Sequence, residues 1–292
     1  MSILITGASG KYGKDSIEFL LEKKVNPKSI VALVRNEAKG EEFKKLGVQV
    51  KLGDYDNYQS LLDAFKGVDK LLFISSNDVV KRLPQHENVV KAAKQNNIKH
   101  IIYTSFVRKN NNETSPVHFI ESAHAATEIL VKESGIPYTL LLNGLYTDLL
   151  TEFFFGPKVL EQGIFFPAGD GVTNYTTRRD EAEATVNILL DNSNKHLNKT
   201  YILANSEKST MHDASAILTE IAGKTVPFTS PDEDTYKNVL SKFVPVEYIH
   251  FGVAFALAIK QSEFETTHTD LPELLGRTPT SLKQFLTSSY KK

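Results

Sequence analysis

Six short apolar runs, separated by five stretches with helical spacing, constrain this chain more than any other feature of its sequence. The runs are Ser2–Thr6, Ser29–Val34, Val48–Leu52, Lys70–Ile74, His100–Thr104 and Pro137–Leu142. Between them, Asp15–Lys24, Glu37–Leu46, Tyr58–Phe65, Pro84–Gln95 and His118–Glu133 have helical periodicity. In the first of these, Ile17, Leu20, Leu21 and Lys24 fall at the i, i+3, i+4, i+7 positions of one face. A strand that is apolar along its whole length needs cover on both faces, which is the surrounding of a parallel strand. The alternation therefore predicts an α/β fold: a doubly wound parallel sheet of the Rossmann type with right-handed crossovers.

The pattern changes near residue 150. Phe153–Phe155, Phe165–Phe166 and Val246–Gln261 are apolar without regular alternation. Residues 178–191 (RRDEAEATVNILLD) predict a further helix, and Thr200–Ala204 a further strand that returns to the sheet. The expected organisation is a binding domain of residues 1–150 and 178–204, with a smaller C-terminal α/β lobe of residues 151–177 and 205–292. The polar stretch KNNNETSP (109–116) ends in Ser-Pro and is expected to be a loop over a ligand.

Composition narrows the function classes. A formal net charge of −1 gives no electrostatic footprint for nucleic acid or an anionic membrane. The chain has no cysteine, which removes disulfides, thiolate metal sites and a cysteine nucleophile. Its first strand starts at residue 2, leaving no room for a signal peptide, and Phe251–Ile259 has about half the length that spans a bilayer. A soluble cytoplasmic protein is expected. The histidines and carboxylates form no H-E-x-x-H or similar metal-binding pattern, and neither G-x-S-x-G nor G-x-x-x-x-G-K-[ST] occurs. No metal, hydrolase elbow or nucleoside-triphosphate loop is therefore expected.

The chemistry is carried by ITGASGKYGK, residues 5–14, where Gly7, Gly10 and Gly13 stand three apart. Glycine at a strand-to-helix turn lets the backbone approach a pyrophosphate, whose charge meets the free N–H groups and dipole of the helix start. A plain tight turn is the alternative, but the motif follows the first strand, opens a helix and heads a βαβ run. Dinucleotide binding is the stronger inference. A chain selecting NAD usually ends its second strand in Asp or Glu for the ribose 2′-hydroxyl. Here that strand ends in Arg35 and Asn36, with Lys39 a turn later, and a guanidinium fork suits a phosphate. NADPH is expected as the cofactor, with NADH as the weaker alternative.

The same motifs carry a family resemblance. ITGASGKYG, ALVRN, LGDYDNYQSL, KLLFISS, QHENVVKAAK, IIYTS and GIPYTLLLNGLYTD, followed by RDEAEA and DLPELLGRTPTSL, resemble the NmrA-like branch of the atypical short-chain dehydrogenases/reductases. Within it, the likeness is to type-2 NAD(P)H:quinone oxidoreductases and triphenylmethane dye reductases. It covers nearly the whole chain and is specific for the family, not for a substrate. The resemblance implies that the stretch Thr6, Gly7, Ala8, Ser9, Gly10, Lys11, Tyr12 and Gly13 holds the pyrophosphate and Arg35 the 2′-phosphate. It further implies that Asp54 and Tyr55 flank the adenine and that Ser75 and Ser76 lie along the ribose. Tyr103, Thr104 and Ser105 would approach the nicotinamide, with Asn143, Gly144 and Tyr146 beyond the sixth strand. Plainer roles stay open: Ser75 and Ser76 as strand terminators, Asp54 as a helix cap, Tyr146 as a core residue with its hydroxyl at the surface.

Two departures from the wider family bear on mechanism. Carbonyl-reducing members use a Tyr-x-x-x-Lys pair, and no tyrosine here has a lysine four residues later. The resemblance also implies a lysine a few residues past a histidine on the helix after the polar loop; here His124 is kept and Ile129 stands at the lysine position. His124 is either a surface histidine or a nicotinamide-side contact. An acceptor that needs little acid catalysis from the protein is expected, with Asn143, Tyr146 and His124 as the candidate catalytic groups. The expected partner is a small electrophilic substrate such as a quinone or cationic dye; the oligomeric state stays open, a homodimer included. A second class also stands: a redox-sensing regulator that binds the dinucleotide without turnover.

Overall fold

The computed structural model describes residues 1–109 and 113–291. Residues 110–112, in the expected loop 109–116, lie outside the described residues. Nine strands are described: β1 (Ile3–Ile5), β2 (Ile30–Val34), β3 (Gln49–Leu52), β4 (Lys70–Phe73), β5 (His100–Phe106), β6 (Tyr138–Asn143), β7 (Ile164–Phe165), β8 (Lys199–Leu203) and β9 (Phe228–Thr229). The helices of the first half are α1 (Lys11–Glu22), α2 (Glu41–Lys45), α3 (Tyr58–Ala64), α4 (Arg82–Gln95) and α5 (His118–Glu133). Those of the second half are α6 (Val159–Gln162), α7 (Arg178–Leu190), α8 (Met211–Ala222), α9 (Glu233–Leu240), α10 (Val246–Lys260), α11 (Leu271–Leu275) and α12 (Leu282–Tyr290).

Seven strands form one parallel sheet in the order β3-β2-β1-β4-β5-β6-β8, the doubly wound arrangement expected. Every residue of β1 and β2 is buried, as strands covered on both faces must be. Alternation sorts their side chains: Ile3 and Ile5 join Ile17, Leu20 and Leu141 under α1 and α7, while Leu4 joins Leu71, Phe73 and Tyr103 under α3, α4 and α5. Each fully buried Ile or Leu contributes roughly 1.5–3 kcal/mol. The edge strands β3 and β8 are less covered, with Leu52 of β3 and Lys199 and Thr200 of β8 exposed.

The sequence placed the elements well and their ends less so. The stretch 37–46 is not one helix; Glu37–Gly40 forms a 3-10 turn capped by Asn36 before α2 begins. Helix α1 starts at Lys11, four residues before the expected start, because Gly10 is its N-cap and the glycine turn feeds straight into it.

A third cluster holds the remainder. Phe154, Phe166, Phe255 and Phe264 pack with Leu218 and Ile259, and β7 pairs β9 in a separate two-stranded sheet. The chain does not stay in this lobe. After α10 it returns, and Leu271 and Leu275 of α11 join the cluster under α1 and α7. That return is stitched down: Asp270 accepts from Ile202 N at 2.7 Å, Arg277 pairs with Asp180 at 2.6 Å, and Thr280 N donates to Asp180 at 2.6 Å. Among the described residues no helix is long and apolar enough to cross a membrane.

Candidate active site

The strand order reverses between β1 and β4, the place where an open α/β sheet leaves a crevice at its strand ends. A cavity of about 570 Å³ opens there, a size that accepts a cofactor-sized ligand. Thr6 closes its floor. It is fully buried, its N–H donates to Leu72 O at 3.0 Å, and its hydroxyl accepts from Ile74 N at 2.9 Å, so it ties the ends of β1 and β4 together.

The glycine turn forms one wall. Gly7 has φ +58°, a conformation that glycine takes without strain. A Cβ on Gly13 would stand 2.5 Å from Gly7 O and 2.7 Å from Ala8 Cα, so loop and helix meet too closely for any side chain. On Gly10 the nearest atom would be 3.2 Å away. The cap of α1 carries no side-chain hydrogen bond, and its first turn holds no acidic residue. The N–H groups of Lys11, Tyr12 and Gly13 thus lack intrahelical acceptors, at the positive end of the helix. Unpaired N–H groups in this arrangement can cradle an anion. Ala8 is buried beneath the turn, and the Tyr12 side chain leaves the crevice to meet Thr185 at 2.7 Å.

At one end of the crevice stand Arg35 and Lys39, both exposed. Among the described residues Arg35 has no ion-pair partner, so its guanidinium is available to a ligand. Asp54 and Tyr55 line the same end. The Tyr55 hydroxyl donates to Ile74 O at 2.8 Å, and burial pushes its pKa up. Ser75 and Ser76 line the middle, each held by its backbone: Ser75 N donates to Thr104 Oγ1 at 3.0 Å and Ser76 N to His86 Nε2 at 2.9 Å.

The far end belongs to Tyr146 and Arg178. Asn143 Nδ2 donates to the Tyr146 hydroxyl at 3.1 Å, and the Arg178 guanidinium lies 4.7 Å over the ring. Arg178 pairs with Glu152 at 2.8 Å and with Asp148 at 3.3 Å, and Glu152 also reaches Lys11 at 2.5 Å. Behind them Gly144 N is shared between Leu203 O at 3.0 Å and the carboxyl of Glu181 at 2.9 Å. Glu181 is fully buried, and burial raises its pKa well above the usual carboxylate range. Burial, reinforced by Glu181, likewise raises that of Tyr146.

The structure thus brings Gly7, Ser9, Gly10, Lys11, Tyr12, Gly13, Arg35, Asp54, Tyr55, Ser75, Ser76 and Tyr146 to one crevice. Thr104, Asn143 and Gly144 stand one layer behind it as supports. Tyr103 and Ser105 are further removed: the Tyr103 hydroxyl meets His124 Nδ1 at 2.8 Å, and Ser105 bonds Glu128, which Arg108 holds at 2.8 Å. His124 is no surface residue. It is buried, and burial lowers its pKa well below the ordinary histidine value, keeping the ring neutral. Ile129 is exposed, whereas the side of α5 that carries His124 continues through Thr127 and Glu128. A lysine at 129 would therefore start from the solvent side of the helix.

Sequence reasoning missed Arg178, Glu181 and Gln85, which lines the crevice and accepts from the Ser76 hydroxyl. Glu181 had a signal: with Thr185 and Ile188 it occupies the buried stripe of α7, an ionisable group at a core position. Among the described residues no group of His, Cys, Asp and Glu is placed to hold a metal. What the arrangement offers is an extended crevice with a backbone anion cradle, a free guanidinium at one end and a single hydroxyl at the other.

Comparison with known proteins agrees with that geometry. The sequence profile of the NmrA-like family matches residues 1–286. Quinone oxidoreductase 2 of Escherichia coli (strain K12) is 39% identical over 239 residues, 82% of this chain and 80% of that protein. The crystal structure of the Citrobacter sp. triphenylmethane reductase complexed with NADP(H) superposes with a TM-score of 0.90 at 37% identity, covering 99% of this chain and 100% of that one. The E. coli NADPH-dependent quinone oxidoreductase complexed with NADPH gives 0.89 at 34% identity, with coverage of 99% and 100%.

Proposed function

The chain belongs to the NmrA-like family, and from that premise we propose that it is an NADPH-dependent reductase of quinones, triphenylmethane-type dyes or similar electrophiles. As an NAD(P)H-dependent oxidoreductase it needs a site for an extended dinucleotide, and the crevice from Arg35 through the glycine turn to Tyr146 fits one. The observation that carries the reading is the pairing of the glycine turn's unspent N–H groups with Arg35, which stands at one end of the same crevice without an ion-pair partner among the described residues.

In this reading Lys11, Tyr12 and Gly13 hold the pyrophosphate through their N–H groups, and Arg35 with Lys39 the 2′-phosphate. Tyr55 and Asp54 flank the base; Ser75 and Ser76 border the ribose. Bound there, the cofactor supplies a hydride to an acceptor beside Tyr146. With a quinone the balance is NADPH, H⁺ and quinone giving NADP⁺ and hydroquinone, the proton coming from solvent. The residues would contribute mainly by holding cofactor and acceptor together in one crevice, and such positioning can supply a large share of the barrier reduction. Tyr146 donates a hydrogen bond to the acceptor oxygen as negative charge builds on it. A cationic dye needs no such donor, because hydride on its central carbon neutralises it.

The test follows NADPH oxidation optically against quinones, triphenylmethane dyes and aldehydes. Turnover with the first two and little with aldehydes is expected. Tight NADPH binding without turnover on any acceptor would return the reading of a redox-sensing regulator.

A further inference from the structure

We propose that Glu181 is a positioning residue for quinone reduction: acting through Asn143, it sets the Tyr146 hydroxyl as a hydrogen-bond donor into the crevice. This rests on the reductase reading above.

The inference starts from two buried atoms without partners, Glu181 Oε2 and Asn143 Oδ1. Glu181, on α7, reaches the turn that begins at Asn143. The other Glu181 oxygen accepts from Gly144 N at 2.9 Å, and Gly144 follows Asn143 directly. An amide oxygen and an ionised carboxylate are both acceptors and cannot satisfy each other. A neutral carboxylic acid resolves both deficits: Oε1 keeps the bond from Gly144, and Oε2–H donates toward Asn143 Oδ1. The surroundings favour the neutral form. Glu181 is fully buried, Asp148 and Asp180 add negative charge, and Tyr12 and Tyr146 are neutral phenols; the Gly144 N–H bond and Arg178 oppose them, but burial outweighs both.

Direction then passes along the chain. With its oxygen engaged by Glu181, the Asn143 amide must turn its NH₂ outward, and Nδ2 donates to the Tyr146 hydroxyl at 3.1 Å. That hydroxyl oxygen is now an acceptor on its inner side, so its own proton faces the crevice. A quinone oxygen gaining charge there meets a donor already oriented. Ionising Glu181 reverses each link: the carboxylate draws the NH₂ of Asn143, the amide turns over, and its oxygen takes the Tyr146 proton away from the acceptor. Glu181 exchanges no proton with the substrate in either state.

Three variants and two acceptors decide the matter, with 1,4-naphthoquinone and malachite green as probes and NADPH as donor. Glu181→Leu is expected to lower the quinone kcat about tenfold, as loss of an oriented donor would, with the dye kcat and the KM for NADPH much less affected. Glu181→Gln keeps an acceptor for Gly144 and a donor for Asn143; it should restore quinone turnover. The native quinone kcat should fall as rising pH ionises Glu181, a limb that Glu181→Gln removes. In a Tyr146→Phe background neither change should matter further, because the hydroxyl they orient is gone. Equal slowing of both acceptors in a folded Glu181→Leu, or a limb that persists in Glu181→Gln, would overturn the proposal. If Glu181→Leu does not fold, the Glu181→Gln profile decides alone. A native chain that reduces neither acceptor sinks the reductase reading and this inference with it.

Discussion

The turn after β1 and the turn after β6 both leave the carboxyl end of a parallel strand in the same sheet, and they treat their backbone N–H groups oppositely. After β1 the chain enters α1 with the first-turn donors unspent, and glycine keeps side chains out of their way. After β6 the donors are consumed within the protein: Gly144 N by Leu203 and Glu181, Thr147 N by Thr176. What that turn presents to the crevice is a side chain, Tyr146, with its hydroxyl fixed from behind. One end is built to hold an anion through the backbone, the other to aim a single group.

The contrast breaks most forcefully at Gly13. Gly13→Val would drive a branched side chain into Gly7 O and Ala8, costing about 3 kcal/mol or more of stability; denaturant unfolding measures it. Gly10→Val would place its Cβ 3.2 Å from Gly7 O, a tight contact but far less severe than the one at Gly13, so the fold should largely survive while NADPH affinity falls about a hundredfold or more, near 2.7 kcal/mol. Titration beside circular dichroism separates the two, and intact binding by a folded Gly10→Val variant would refute the anion cradle. Arg35→Ala should weaken NADPH by about 1–3 kcal/mol and leave NADH nearly unchanged. Equal losses would show that Arg35 does not read the phosphate.

Effects at the β6 turn should be smaller and should fall on rate, not on cofactor affinity. Tyr146→Phe is expected to slow quinone reduction about tenfold, well short of removing an essential proton donor. A last effect is on stability. Burial raises the Glu181 pKa, so the folded chain keeps a proton that the unfolded chain loses above about pH 4.3. Stability is therefore full below that pH and declines as pH rises toward the folded-state value. Glu181→Gln should flatten the decline and be the more stable protein at neutral pH, as melting curves between pH 5 and pH 8 would reveal.

The two turns also differ in how far the sequence discloses them. Gly7, Gly10 and Gly13 encode backbone geometry locally, so spacing alone located the cradle, and Arg35 followed from the end of β2. The β6 turn depends on distant chain: Glu181 reaches it from α7, which the sequence revealed only as a helix. His124 shows the same limit. A lone histidine says nothing of its depth, and only the packing of α5 against β5 puts it on the Tyr103 hydroxyl, away from the crevice. The parallel sheet was legible because apolar runs report burial on both faces. The lobe was less so, since its aromatic core is assembled from segments far apart in the chain.

The return of the chain after α10 has a consequence for how the protein comes into being. During synthesis the residues that make the cradle emerge before the rest of the sheet, yet the face that α1 covers in part stays incomplete until α7 appears. Its cover is complete only when Leu271 and Leu275 arrive. The nascent chain thus exposes greasy surface for most of its translation, the condition in which chaperones are recruited and aggregation competes. Late closure also binds the two halves into one cooperative unit, for the lobe is threaded between parts of the sheet region that need each other. A chain cut before Asp270 would lose more than a tail: the floor beneath α7, and with it Glu181 and the far end of the crevice, would be left without its last support.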